Sequence, residues 1–180
     1  MNSDYLQTLG VEPGKYIVAV GRITPEKGFD YLIKAFGKAG LADYALVIAG
    51  GVEAESSYGE ELRELSKGLN VVFAGFVQGE RLESLYTNAR LYVLSSVNEG
   101  FPLVLLEAMS YGLDVLVSDI PATHLVELEE DDYFEKANVD DLAQRLQDKI
   151  NKPLVKRHYD LDDFDWQKIA EKTNEIFRSL

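Results

Sequence analysis

Tyr16-Ile17-Val18-Ala19-Val20, then Gly21-Arg22-Ile23-Thr24-Pro25-Glu26-Lys27-Gly28, then Phe29 to Lys38 make one architectural unit. The first run is apolar, with none of the polar alternation of a half-exposed strand, which suits a strand buried on both faces of a parallel sheet. The last run carries Phe29, Leu32, Ile33 and Phe36 at helical spacing. The loop between them has glycine at both ends. The same alternation recurs along the chain. Further apolar runs are Ala45 to Ala49, Val71 to Ala74, Leu91 to Leu94 and Val115 to Val117. Helical patterns cover Gly59 to Lys67, Arg81 to Asn88, Leu103 to Tyr111, Asp140 to Ile150 and Trp166 to Arg178. Leu103 to Tyr111 is apolar except at Glu107 and Ser110, which predicts a buried helix. Tyr133 and Phe134 read as a short strand on the sheet edge. The expected fold is α/β: a three-layer Rossmann-like domain whose parallel sheet is flanked by helices.

Composition bounds the chemistry. The 180 residues suffice for one domain with a real core. The absence of cysteine excludes disulfides and thiolate metal sites, and two histidines are too few for a histidine cluster, so no metal is expected. A net charge of -13 disfavours a nucleic-acid partner. No apolar stretch reaches the length of a membrane span, and the first ten residues lack the regions of a signal peptide. A cytoplasmic protein is expected.

In such sheets ligands bind at the carboxyl ends of the strands, which makes the loops there the candidate site. Gly21 to Gly28 places Arg22 and Lys27 five residues apart before a helix. Backbone N–H groups, a guanidinium and an ammonium together make an anion site suited to a diphosphate, and a solvated turn is the alternative. The Gly-Lys-Ser/Thr ending of a P-loop is missing, as is the dinucleotide fingerprint. Gly50-Gly51 lets backbone come close to something, or is a simple turn. After Gly75, Phe76 either faces a nucleobase or packs in the core, with Val77 beside it. The most informative loop is Ser95-Ser96-Val97-Asn98-Glu99-Gly100-Phe101-Pro102, where Pro102 suits the first helical position. Glu99 stands at its mouth. Glu107, two turns into an apolar helix, needs partners: sugar or ribose hydroxyls, backbone N–H groups, or Arg22. A glycosidase acid–base pair would need the two carboxyl groups facing one bond, which seven intervening residues do not establish.

Taken together, Gly21-Arg22, Lys27-Gly28, Gly50-Gly51, Gly75-Phe76, and Ser96 to Leu103 with Glu107-Ala108-Met109 make the chain resemble the C-terminal domain of family 4 (group 1) retaining glycosyltransferases. The resemblance runs from about Lys15 to the end. It takes in Ser118-Asp119-Ile120-Pro121 and Phe164-Asp165-Trp166. It implies one half of a GT-B fold, and a donor that is a UDP-, GDP- or ADP-linked sugar, with no metal or other cofactor. Arg22 and Lys27 would hold the diphosphate and stabilise the leaving group. Glu107 would hold the ribose, and Glu99 the transferred sugar with the N–H groups of Gly100 and Phe101, while Phe76 and Val77 line the base. Gly21, Gly50, Gly51, Pro102 and Leu103 complete the donor site.

The resemblance also implies hexosyl transfer to a glycan or lipid-linked acceptor through an N-terminal domain that residues 1–180 do not contain. The chain alone would then bind donor without completing the reaction, and the full-length enzyme could sit against the inner face of the membrane. By the same resemblance, Trp166, Ile169 and Phe177 would form an exposed apolar patch. A sugar-nucleotide epimerase and a non-catalytic binding domain are the competing readings. One departure from the family pattern is Asp114, where proline is usual; a local effect on stability is expected. Asp160 to Asp162 and Asp163 to Asp165 read as helix caps and solvated charges, and His124 as a surface histidine.

Overall fold

A computed structural model describes residues 3–51 and 57–164. Its elements alternate as the pattern predicts: α1 (Ser3–Leu9), β1 (Tyr16–Val20), α2 (Phe29–Ala39), β2 (Ala45–Ala49), α3 (Ser57–Leu65), β3 (Val71–Gly75), α4 (Glu80–Asn88), β4 (Leu91–Leu94), α5 (Leu103–Ser110), β5 (Val115–Ser118), β6 (Tyr133–Phe134) and α6 (Val139–Asn151). The six strands form one sheet in the order β3-β2-β1-β4-β5-β6, every neighbouring pair parallel. The terminal helix expected over Trp166 to Arg178, and the apolar patch on it, lie outside the described residues.

Two cores sandwich the sheet. On one face Phe29, Leu32, Ile33 and Phe36 of α2, Leu62 of α3 and Leu142 and Leu146 of α6 cover Ile17, Leu46, Ile48 and Val93. On the other Leu6 of α1, Leu85 and Tyr86 of α4, and Leu105, Ala108 and Met109 of α5 cover Val18, Val47, Tyr92 and Val117. Successive strand residues thus feed opposite layers, which is why neither face shows polar alternation. The segment after α6 crosses the second face, where Tyr159, Leu161 and Phe164 join its core. Among the described residues no helix is long and apolar enough to cross a membrane.

Two expectations need correction, and one element has no counterpart in the sequence pattern: the residues before β1 form a helix, α1, anchored by Leu6 at 1% exposure. α5 is not buried all round: Leu105, Ala108 and Met109 face the sheet, whereas Leu103 is 53% exposed and Glu107 is exposed. α5 begins at Leu103, so Pro102 stands one position before the first helical residue, at φ -83° and ψ 74°.

Asp114 does more than turn the chain. Its Oδ1 accepts from Lys149 Nζ at 2.8 Å and Arg157 at 3.1 Å, and the same two cations reach Asp132 at 2.6 and 2.5 Å. Asp132 is wholly buried and Lys149 nearly so. Arg90, also buried, donates to the carbonyls of Lys149, Ile150 and Lys152 at the end of α6. These contacts tie α6 and the segment after it to the start of β5.

Candidate functional site

The sheet order reverses between β1 and β4, because the chain runs outward to β3 and then crosses back. In open parallel sheets the loops after two such strands diverge at the point of reversal, and ligands bind between them. Both loops are the ones singled out in the sequence.

The β1 loop is built on close backbone approaches. Gly28 has φ +64°, and a Cβ on it would stand 2.2 Å from the Ser95 carbonyl oxygen. Only glycine meets both demands. The Ser95 hydroxyl donates to the Lys27 carbonyl at 2.8 Å, and the Val97 N–H to the Glu26 carbonyl at 2.8 Å. Gly50 is equally constrained: a Cβ would stand 1.8 Å from the Gly21 carbonyl oxygen. What Gly50 lets close is therefore the chain's own β1 loop. Gly51 differs, since the nearest atom to its Cβ position is Phe76 Cβ at 3.9 Å.

These loops bring Lys27 and Glu99 together, 72 residues apart in sequence. Lys27 Nζ lies 2.6 Å from Glu99 Oε1, and the same oxygen accepts from the Ser96 hydroxyl at 2.6 Å. The two charged side chains are only 15% and 10% exposed. Arg22 stands exposed on the same loop. Glu26 next to Lys27 is held below the usual carboxylate range, first by its own backbone N–H, then by the Thr24 hydroxyl, and less by the charges of Arg22 and Lys27. Within the described residues the N–H groups of Gly100 and Phe101 meet no acceptor. Gly100 and Phe101 are both exposed, and the Phe101 ring meets that of Phe164 at 5.8 Å.

Glu107 is not the buried carboxylate expected. It is exposed, and its Oε2 accepts from the Tyr86 hydroxyl at 3.1 Å rather than from Arg22 or backbone. Tyr86 is buried on α4, stacked on Tyr111 at 5.5 Å and tilted against Tyr92 at 6.1 Å. Burial, then the Glu107 charge, pushes the Tyr86 phenol up. Tyr92 is buried with its hydroxyl unpartnered among the described residues; burial, then the fields of Tyr86, Glu99 and Glu107, pushes it well up.

The open choice at Phe76 resolves toward solvent: it is 76% exposed. Val77 beside it is buried in the core that also holds Leu85 and Tyr86 of α4. His124 is exposed as expected, and pairs with Asp119 at 2.6 Å while stacking on Tyr133. Asp160 accepts from the Asp162 N–H at 3.0 Å, a capping contact. No group of three or more His, Cys, Asp or Glu among the described residues is placed to hold a metal ion. Sequence reasoning missed Ser96, Tyr86 and Tyr92 as polar members of this region. A hydroxyl three residues before Glu99 was the only local signal for Ser96. The tyrosines look like core residues until their tips are traced.

The model of the family described as glycosyl transferases group 1 matches residues 6–164. The chain belongs to that family. A glycosyltransferase from Methanocaldococcus jannaschii is 40% identical over 119 residues, 65% of this chain and 30% of the relative. One from Haemophilus influenzae is 30% identical over 175 residues, 90% of this chain and 48% of the relative. The chain thus spans half or less of these two relatives. Among solved structures, Anabaena HepE in complex with UDP and glucose superposes with a TM-score of 0.87 at 23% identity, over 100% of this chain and 53% of that one. The fold is that of a group 1 glycosyltransferase C-terminal domain.

Proposed function

We propose that the crevice between the β1 and β4 loops binds a nucleoside-diphosphate sugar, and that the chain supplies the donor side of a retaining hexosyl transfer. The observation that carries this is the Lys27–Glu99 pair at 2.6 Å beside the N–H groups of Gly100 and Phe101, which meet no acceptor among the described residues. One loop offers cations, the other offers donors at a helix start and a carboxylate, which is the inventory that a diphosphate joined to a polyol requires.

In this reading Arg22 and Lys27 hold the diphosphate, with Gly21 as the backbone approach. As the bond from the anomeric carbon to the diphosphate oxygen breaks, the two cations take up the charge left on the nucleotide. Glu99 accepts from hydroxyls of the sugar, Glu107 from the ribose. Phe76 offers its exposed ring to the base, with Gly51 and the Val77 backbone beside it. The acceptor, a glycan or lipid-linked sugar, is met by a separate N-terminal domain, so the chain alone binds donor without turning it over. The HepE complex makes UDP the first nucleotide to try, with GDP and ADP as alternatives.

Calorimetric titration of the chain with UDP, GDP and ADP tests this. Saturable binding of one of them is expected, weakened about 10- to 100-fold by Lys27→Ala, the scale of one charge-assisted contact. Wild-type affinity in an Arg22→Ala/Lys27→Ala double variant would place the diphosphate elsewhere.

A further inference from the structure

We infer that Tyr86 is a positioning residue for donor binding: its hydroxyl fixes Glu107 so that the remaining carboxylate oxygen meets the ribose. The inference rests on the role proposed for Glu107. Glu107 lies exposed on α5, and a glutamate there has three side-chain torsions free to wander. One contact restrains it, the hydrogen bond from Tyr86 to Oε2 at 3.1 Å. Among the described residues Oε1 has no partner.

Tyr86 is suited to hold a neighbour still. It is 1% exposed, rising from α4 beneath α5. Its ring is clamped between Tyr111, nearly parallel at 21°, and Tyr92, tilted at 58°. A buried side chain held by two ring contacts transmits its own order to the group it bonds. Its phenol also stays protonated at any working pH, because burial and the adjacent carboxylate both oppose ionisation. The Tyr86 hydroxyl is thus a donor placed to orient the Glu107 carboxylate. A phenylalanine would fill the same layer and leave the glutamate loose.

The test is titration of the 180-residue chain with UDP and with 2′,3′-dideoxy-UDP, in the wild type, Tyr86→Phe, Glu107→Gln and the double variant. Removing the restraint on one glutamate should weaken UDP about 3- to 10-fold, the scale of immobilising a single long side chain on binding. The dideoxy analogue, which brings no ribose hydroxyls, should bind both proteins alike. In the Glu107→Gln background the Tyr86→Phe effect should shrink as well. Tyr92→Phe removes a neighbouring buried hydroxyl that does not touch Glu107, and should leave the UDP-to-analogue ratio unchanged. Melting temperatures of all variants separate misfolding from loss of positioning.

Equal losses for UDP and the analogue in Tyr86→Phe would make Tyr86 a packing residue and overturn the inference, while the ribose role of Glu107 stood. A wild type that does not distinguish UDP from the analogue, or binds neither, would overturn both.

Discussion

Replacing Gly50 by alanine should damage the protein in a way that the same change at Gly51 does not. A Cβ at Gly50 would sit 1.8 Å from the Gly21 carbonyl oxygen and 2.9 Å from its carbon, both backbone atoms with no rotamer to yield. Reaching even a tight contact of about 3.0 Å requires Gly21 to move by about 1.2 Å, and cores resist such overpacking at a cost of about 1–3 kcal/mol. That shift also strains two loop bonds, Gly21 N–H to Ala49 and Ile23 N–H to Gly51, both 3.0 Å; each contributes about 1 kcal/mol. The total is about 3–5 kcal/mol, or a fall in Tm of about 6–20 °C for a chain of this size. Because Gly21 precedes Arg22, residual folded protein should also bind UDP about 10- to 100-fold more weakly, the scale of losing one charge-assisted contact. Gly51 has only Phe76 Cβ near its Cβ position, at 3.9 Å. Gly51→Ala should therefore melt within about 2 °C of wild type, as surface changes do. Differential scanning calorimetry with UDP titration reads both quantities. A Gly50→Ala protein with wild-type Tm, or a Gly51→Ala protein equally unstable, would refute the steric argument.

Lys149→Met leaves the wholly buried Asp132 with Arg157 as its remaining cation, and should cost about 1–3 kcal/mol in urea denaturation, the scale of one lost partner of a buried polar group rather than of an uncompensated buried charge. The surface pair of Asp131 and Lys152 should shape the pH profile instead. The hydrogen bond from Lys152, first, holds Asp131 below its ordinary range, and the Asp131 carboxylate raises Lys152. The stability carried by Asp131 is therefore present above its unfolded pKa and is lost as pH falls through its lower folded value. That carried by Lys152 is present below its unfolded pKa and is lost as pH rises through its higher folded one. Denaturation midpoints of Asp131→Asn against pH should show a shallower acid limb than wild type, with a small change at neutrality because the pair is half exposed.

The strands were legible almost to the residue. A five-residue run such as Ala45 to Ala49, wholly apolar and closed by Gly50-Gly51, has few other readings. The site loops followed from the rule that ligands meet a parallel sheet at its carboxyl edge. Other features were hidden for physical reasons. α1 carries just Leu6 and Leu9 as aliphatic anchors in seven residues, too short a pattern to show a period. α5 was misjudged because apolar composition was taken for burial; its sheet-facing stripe is Leu105, Ala108 and Met109, at helical spacing, and Leu103 looks outward. The partners of Asp114 at 149 and 157, and the Asp132 that shares them, lie on different elements, and no local pattern announces them.

The two glutamates of the crevice share a design that neither spacing nor composition reveals. Glu99 gives Oε1 to Lys27 and Ser96; Glu107 gives Oε2 to Tyr86. Each spends one oxygen on the protein, and among the described residues the other oxygen is unengaged. A carboxylate bound in this way is an oriented acceptor: one side is fixed, the other presents lone pairs in a set direction. That arrangement suits hydroxyl donors and not a cleavage pair. A glycosidase needs one of its carboxyl groups to give a proton to the leaving oxygen, whereas Glu99 is already committed to an ammonium at 2.6 Å. The same pairing keeps Lys27 in place before any diphosphate arrives. Its ammonium has three donor protons, and Glu99 occupies one, so a phosphate oxygen can be met by the others without breaking the pair. The cation and both acceptors are thus set in position by protein contacts alone, and donor binding would need little further ordering of these three side chains.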